Sequence, residues 1–199
     1  MAEPRNYLAE LAGLLEEPRK EVDFFAALGE FIVSYALAEA AVHVLVRALS
    51  GMEEDRARAV FSGMRLGDLT GRARQMMRLG IEPTIFQERK EGKWTQDDYD
   101  FMDACFAQLD KISAVRGELV HRTVTFTENN FKVSNLFTAK SVLHTQTRYV
   151  SFDDLEAMDR DCLKIFVRLH WLAQRETLVD GVNAEAQKAL DEPWRYTRE

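Results

Sequence analysis

Arginine and histidine are the side chains in this sequence whose placement can do chemistry. Phe101, Cys105, Leu109, Ile112 and Leu119 recur at helical spacing, and Arg116 stands on the same stripe where an apolar residue is expected. A guanidinium cannot shed its charge, so among apolar neighbours it is costly unless it is paired or directed at an anion. A stem that snorkels, or a salt bridge to Glu39, accounts for it equally well on sequence alone. Five residues on comes His121, where the helical pattern gives way to β-branched residues. The helix dipole favours a charged imidazole there, suited to donating or relaying a proton; capping the last carbonyls is the plainer role. On an ideal helix the two side chains point about 140° apart. They converge on one ligand only if the helix ends or opens near 119 to 121, which Gly117 makes easier.

Other chemistries find little footing. Two cysteines and four histidines (His43, His121, His144, His170) form no C-x-x-C, no H-E-x-x-H and no other close ligand pair, so neither a zinc site nor any other metal is expected. Gly63, Gly67 and Gly71 lack the Lys-Ser/Thr of a phosphate-binding loop and follow a helix rather than a strand. Their spacing of four predicts instead a helical face that another helix approaches closely. No cofactor is implied. Residues 56 to 78 hold Arg56, Arg58, Arg65, Arg72, Arg74 and Arg78 against the single acid Asp68. Such a segment can follow a phosphate backbone, with Arg65, Arg72, Arg74 and Arg78 as candidate RNA contacts, or can be a solvated face balanced by acids on neighbouring helices. His144, Arg148 and Tyr149 are further candidates whose spacing specifies no ligand.

The elements that hold these groups are mostly helical. A chain of 199 residues, 46% apolar and 30% charged, buries a full core as one domain spanning 1 to 199. Its net charge of −7 argues against a general nucleic-acid coat, so any RNA contact is focal. Residues 22 to 49 predict one long helix, apolar on every face, which belongs in the centre of a bundle or at an oligomer contact. Two shorter helices fit 53 to 79, broken near Ser62 and Gly63. A short helical piece at Leu8 to Leu15, a loop over 81 to 94 and a last short helix at Ala184 to Leu190 in a charged tail (180 to 199) complete the reading. Thr95 with Asp98, and Ser151 with Asp154, read as caps opening long helices near 95 to 120 and 152 to 175.

Between those two, residues 122 to 150 predict a hairpin or flap turning at Asn129 and Asn130. The fold class is therefore all-α: a bundle of about five helices with one β-prone excursion between its last two long helices. Its core is expected to include Phe25, Ile32, Leu109, Ile112, Cys162 and Ile165. Cys105 and Cys162 read as reduced core thiols, which fits a cytoplasmic location. No signal peptide is visible, and Glu30, Glu39 and His43 interrupt the most apolar stretch, so no membrane span or membrane partner is expected.

Arg116-Gly-Glu-Leu-Val-His121 resembles the R-x4-6-H motif of the HEPN superfamily, all-α domains in which the motif closes one of the long core helices. The resemblance covers roughly 22 to 175: a long apolar first helix with an embedded acid (Glu39), short middle helices, the motif at a helix end, a β-prone insertion and a capped last helix. It implies metal-independent RNA cleavage of the toxin or defence type, with two motifs meeting across a homodimer. Arg116 and His121 would be the catalytic pair, with Glu39 and Glu118 as supporting groups and an antitoxin or regulatory protein as a further partner. Gly117 departs from the pattern, because active members commonly carry a polar residue after the arginine. A module that has lost catalysis and binds nucleotide, RNA or a protein partner is the alternative.

Overall fold

The computed structural model describes residues 18–81, 94–127, 130–135, 139–140, 145–174 and 191–198. Among them the chain is a helical bundle with one small sheet. Helix α1 (Pro18–Ser50) stops at Gly51, whose φ of 62° is the left-handed conformation that ends helices. Helices α2 (Glu54–Phe61) and α3 (Leu66–Ile81) are separated at Ser62 and Gly63, as the sequence pattern predicts. Helix α4 (Gln96–His121) starts with a complete capping box, in which the Thr95 hydroxyl accepts from the Asp98 N–H and the Asp98 carboxylate accepts from the Thr95 N–H. Ser151 and Asp154 make the same reciprocal pair ahead of α5 (Phe152–Gln174).

The excursion between α4 and α5 is a three-stranded antiparallel sheet in the order β1-β2-β3, formed by β1 (Thr123–Phe126), β2 (Phe131–Ser134) and β3 (Thr147–Val150). Register runs Phe126 opposite Phe131 and Phe131 opposite Val150. Phe131 on the central strand packs with Phe24, Phe126 and Phe152, so the sheet is stapled to both α1 and α5 by aromatic contacts. The Leu8 to Leu15 segment, residues 82–93 of the expected loop, the 184 to 190 helix and His144 lie outside the described residues.

Helix α1 packs most extensively against α5, then α3. Leu109, Ile112, Cys162 and Ile165 are fully buried, as expected, and Ile32 is half-buried against them. Phe25 is the exception, 61% exposed, while its neighbour Phe24 is buried. Because α1 is apolar on every side, periodicity alone cannot choose between Phe24 and Phe25 at its start. By length and composition, Val22–Ser50 is also the one described stretch apolar enough to cross a membrane.

Residues 192 to 196 return to the bundle and lie along α5. Asp161, fully buried, accepts from the N–H groups of Arg195 and Tyr196 and from the Gln108 side chain. Lys164 donates to the Pro193 carbonyl and Arg168 to that of Glu192, with Trp194 under both cations. Burying three charged groups is tolerable only because each is bonded. Burial lowers the Lys164 ammonium from its ordinary range, against the pull of Asp161.

Candidate active site at the end of helix α4

Helix α4 carries Arg116 toward α1, where the guanidinium lies over the Tyr35 ring, 5.4 Å from its centroid. The Arg116 Nε is buried and has no hydrogen-bond partner. Among the described residues no carboxylate comes within ion-pair distance of Arg116, Glu39 included, so the salt bridge weighed from the sequence is not formed there. A cation half-buried on an aromatic face, with a buried donor unused, is one whose hydrogen-bonding capacity is left for something else.

Tyr35 donates to the Ser113 hydroxyl at 3.0 Å. Burial pushes its phenol up to about 12; the Ser113 bond and the Arg116 charge oppose that shift, and Glu39 adds to it. Tyr35 therefore stays a neutral phenol, and its ring is a shelf for the guanidinium. Neither Tyr35 nor Ser113 is among the candidates that the sequence singles out. The available signal was spacing, since Tyr35 and Glu39 are i and i+4 on α1 while Ser113 and Arg116 are i and i+3 on α4, adjacent positions on their helices.

His121 is the last residue of α4 and is exposed. The helix neither opens nor loosens before it: the Arg122 N–H still bonds the Glu118 carbonyl, completing the last regular turn. Arg116 and His121 therefore diverge within one chain, and Gly117 does not unwind the turn. Nothing lies within 4 Å of where a Gly117 Cβ would stand, so no neighbour demands the glycine.

Glu118 turns to the sheet, with Arg122 at 3.3 Å and Arg148 of β3 at 2.8 Å. It anchors the helix end to β3. That pairing also occupies Arg148, while Tyr149 beside it is exposed.

The arginines of 56 to 78 divide into two groups. Arg74 lies beside Asp103 at 2.5 Å, with Asp110 at 4.0 Å, and its guanidinium covers the Phe106 ring. Arg78 covers Tyr99, while Arg56 and Arg58 pair with Glu53 and Glu54. Arg65 and Arg72 are exposed without an ion pair among the described residues. Acids from a neighbouring helix thus balance Arg74 alone, while Arg56 and Arg58 are paired within their own helix and its cap. The expected close helix approach at the glycines is absent: nothing stands within 4 Å of a Cβ at Gly63, Gly67 or Gly71, and Gly63, with φ of 78°, belongs to the turn.

No family model matches the chain, and neither a curated protein nor a solved structure shows significant similarity to it.

Proposed function

We propose that this chain is a metal-independent endoribonuclease of the HEPN type, whose site is assembled from Arg116 and His121 of two copies. The observation that carries the reading is Arg116: a permanently charged side chain on a core stripe, laid on Tyr35, with a buried Nε that no protein group satisfies. A scaffold gains nothing from such a residue that leucine would not supply more cheaply. RNA provides its own nucleophile, so little further machinery is needed. One neutral His121 takes the proton from a 2′-OH, and the 2′-oxygen attacks the adjacent phosphorus. Arg116 spreads its planar fork over the phosphorane oxygens, where charge builds up. The bond to the 5′-oxygen breaks, and the protonated His121 of the second copy supplies that oxygen with its proton. The products are a 2′,3′-cyclic phosphate and a 5′-hydroxyl, and the protonation states of the two histidines are exchanged.

The geometry of one copy supports a site shared between two. Arg116 and His121 point apart on an unbroken helix, and a single histidine would have to both take and give a proton. The second reading, a dimeric HEPN-like module that binds nucleotide, RNA or a protein without cutting, draws on the same unbroken helix together with Gly117. A mixed dimer separates them. Arg116→Ala and His121→Ala each abolish cleavage while leaving the dimer intact, and the dimer joining one of each stays at or below a few per cent of wild type. Wild-type activity in that mixed dimer would end the shared-site reading, and RNA binding without cleavage by the unmutated protein would favour the binding module.

A further inference from the structure

The last two turns of α1 and the end of α2 border a cleft of about 460 Å³, lined by His43, Arg47, Arg58, Phe61, Ser62 and Gly63. Spacing brings these residues together. His43 and Arg47 are i and i+4 on α1, while Phe61 and Ser62 stand three and four residues after Arg58 on α2 and its cap. Gly63 then carries the chain away with a φ of 78°, and nothing lies within 4 Å of where its Cβ would stand, so the cleft is open above its backbone.

What this lining offers is donors. Glu54 stands outside it and holds each guanidinium by one edge, with Arg47 Nη1 and Arg58 Nε both donating to its Oε1. Arg47 Nε donates to the His43 carbonyl at 3.2 Å. That leaves Arg47 Nη2 and both Arg58 Nη groups without a hydrogen bond among the described residues, and the same holds for the His43 imidazole, the Ser62 hydroxyl and the Gly63 N–H. The carbonyls that end α2 are already bonded, that of Arg58 to the Ser62 N–H and that of Phe61 to the Met64 N–H. No carboxylate of the described residues lines the space, and one glutamate facing two arginines leaves the group cationic.

We infer that the cleft binds a small organic phosphomonoester, with its terminal phosphate between Arg47 and Arg58 and its carbon skeleton toward Phe61. Guanidinium forks match phosphate oxygens, and a hydroxyl beside a backbone N–H completes the cradle. A carboxylate has too few oxygens for so many donors, whereas a terminal phosphate presents three. The volume is that of a small-molecule site and gives more room than a bare phosphate fills. A nucleic-acid strand fits less well, because Glu53, Glu54 and Asp55 at the start of α2 would repel the phosphates that follow along it. His43 lies about two turns beyond Tyr35 on α1, roughly 12 Å along the axis, so the site is separate from the Arg116 group and does not rest on the nuclease reading.

Titration calorimetry of the full chain near neutral pH tests the site with ribose 5-phosphate as the probe. The expected Kd is on the order of 100 µM, with weaker binding of inorganic phosphate and none of ribose. Arg58→Gln weakens ribose 5-phosphate at least about tenfold. Arg58→Lys weakens it nearly as much, since the charge survives and the fork does not. The Arg58 side chain is 66% exposed, so both variants keep the wild-type helicity and melt within about two degrees of it. Arg160→Gln removes the same charge from another exposed i, i+4 pair, on α5, and leaves the affinity unchanged. No binding at about 10 mM, ribose or inorganic phosphate binding as tightly as the sugar phosphate, or full affinity in Arg58→Gln would each overturn the proposal. So would an equal loss in Arg160→Gln, or tighter binding of a 5′-phosphorylated RNA oligonucleotide than of ribose 5-phosphate. A chain that binds the sugar phosphate as described yet leaves RNA intact would uphold this site and overturn the nuclease reading instead.

Discussion

Replacing Arg116 by leucine removes a charge that is half-buried and a donor that nothing satisfies, at the cost of one cation–π contact worth about 0.5–2 kcal/mol. Arg116→Leu is accordingly expected to melt at the wild-type temperature or above it while losing RNA cleavage entirely, which thermal denaturation and a cleavage assay on the same preparation check together. A fall in melting temperature of ten degrees would make the arginine structural. Gly117 sits in a regular helical turn with open space at its Cβ, so Gly117→Ala should stabilise the chain by about 1 kcal/mol in urea titration. That Arg116 was unusual could be read from the stripe it interrupts. The Tyr35 shelf could not, because an aromatic residue on an all-round apolar helix carries no sign of whether its face is packed on carbon or on a cation.

At the level of elements, caps and turns were legible because each is written in two or three neighbouring residues: Thr95 with Asp98, Ser151 with Asp154, and the break at Ser62 and Gly63. The inward ridge of α1 and the docking of residues 192 to 196 were not, since both depend on groups far apart in sequence. Asp161 is the centre of that docking, and Asp161→Ala strips the Arg195 and Tyr196 N–H groups of their acceptor and leaves buried Lys164 only the more distant Glu192 as its acid. A loss of about 3–5 kcal/mol is expected in urea unfolding, with the C-terminal segment cut early by protease. A variant as stable as wild type would mean the segment is held elsewhere. Arg65 and Arg72 are exposed and make neither an ion pair nor a ring contact among the described residues, so on the nuclease reading Arg65→Gln with Arg72→Gln should weaken RNA binding and lower its salt slope by about 2. Arg74→Gln, which abandons Asp103 and Asp110, should instead lower stability and leave the slope alone.

For the whole molecule, the overall acidity sets the constraint. A chain with net charge −7 holds a polyanion only at a focal site, which the proposed function places around Arg116. The bundle supplies the rigid parts: α4 capped at its start, tied by Glu118 to β3 at its end, and laid on α1 through Tyr35. On the proposed reading, a second copy would supply what a single helix withholds, a histidine on the far side of the scissile phosphate. The most direct measurement is to incubate the purified chain with a structured RNA in excess chelator and map both ends of every fragment, beside His121→Ala. A composite HEPN-type site predicts fragments ending in 2′,3′-cyclic phosphate and beginning with 5′-hydroxyl, lost by a factor of at least about 100 in the variant. Intact RNA, 3′-hydroxyl ends, or equal cleavage by His121→Ala would contradict it.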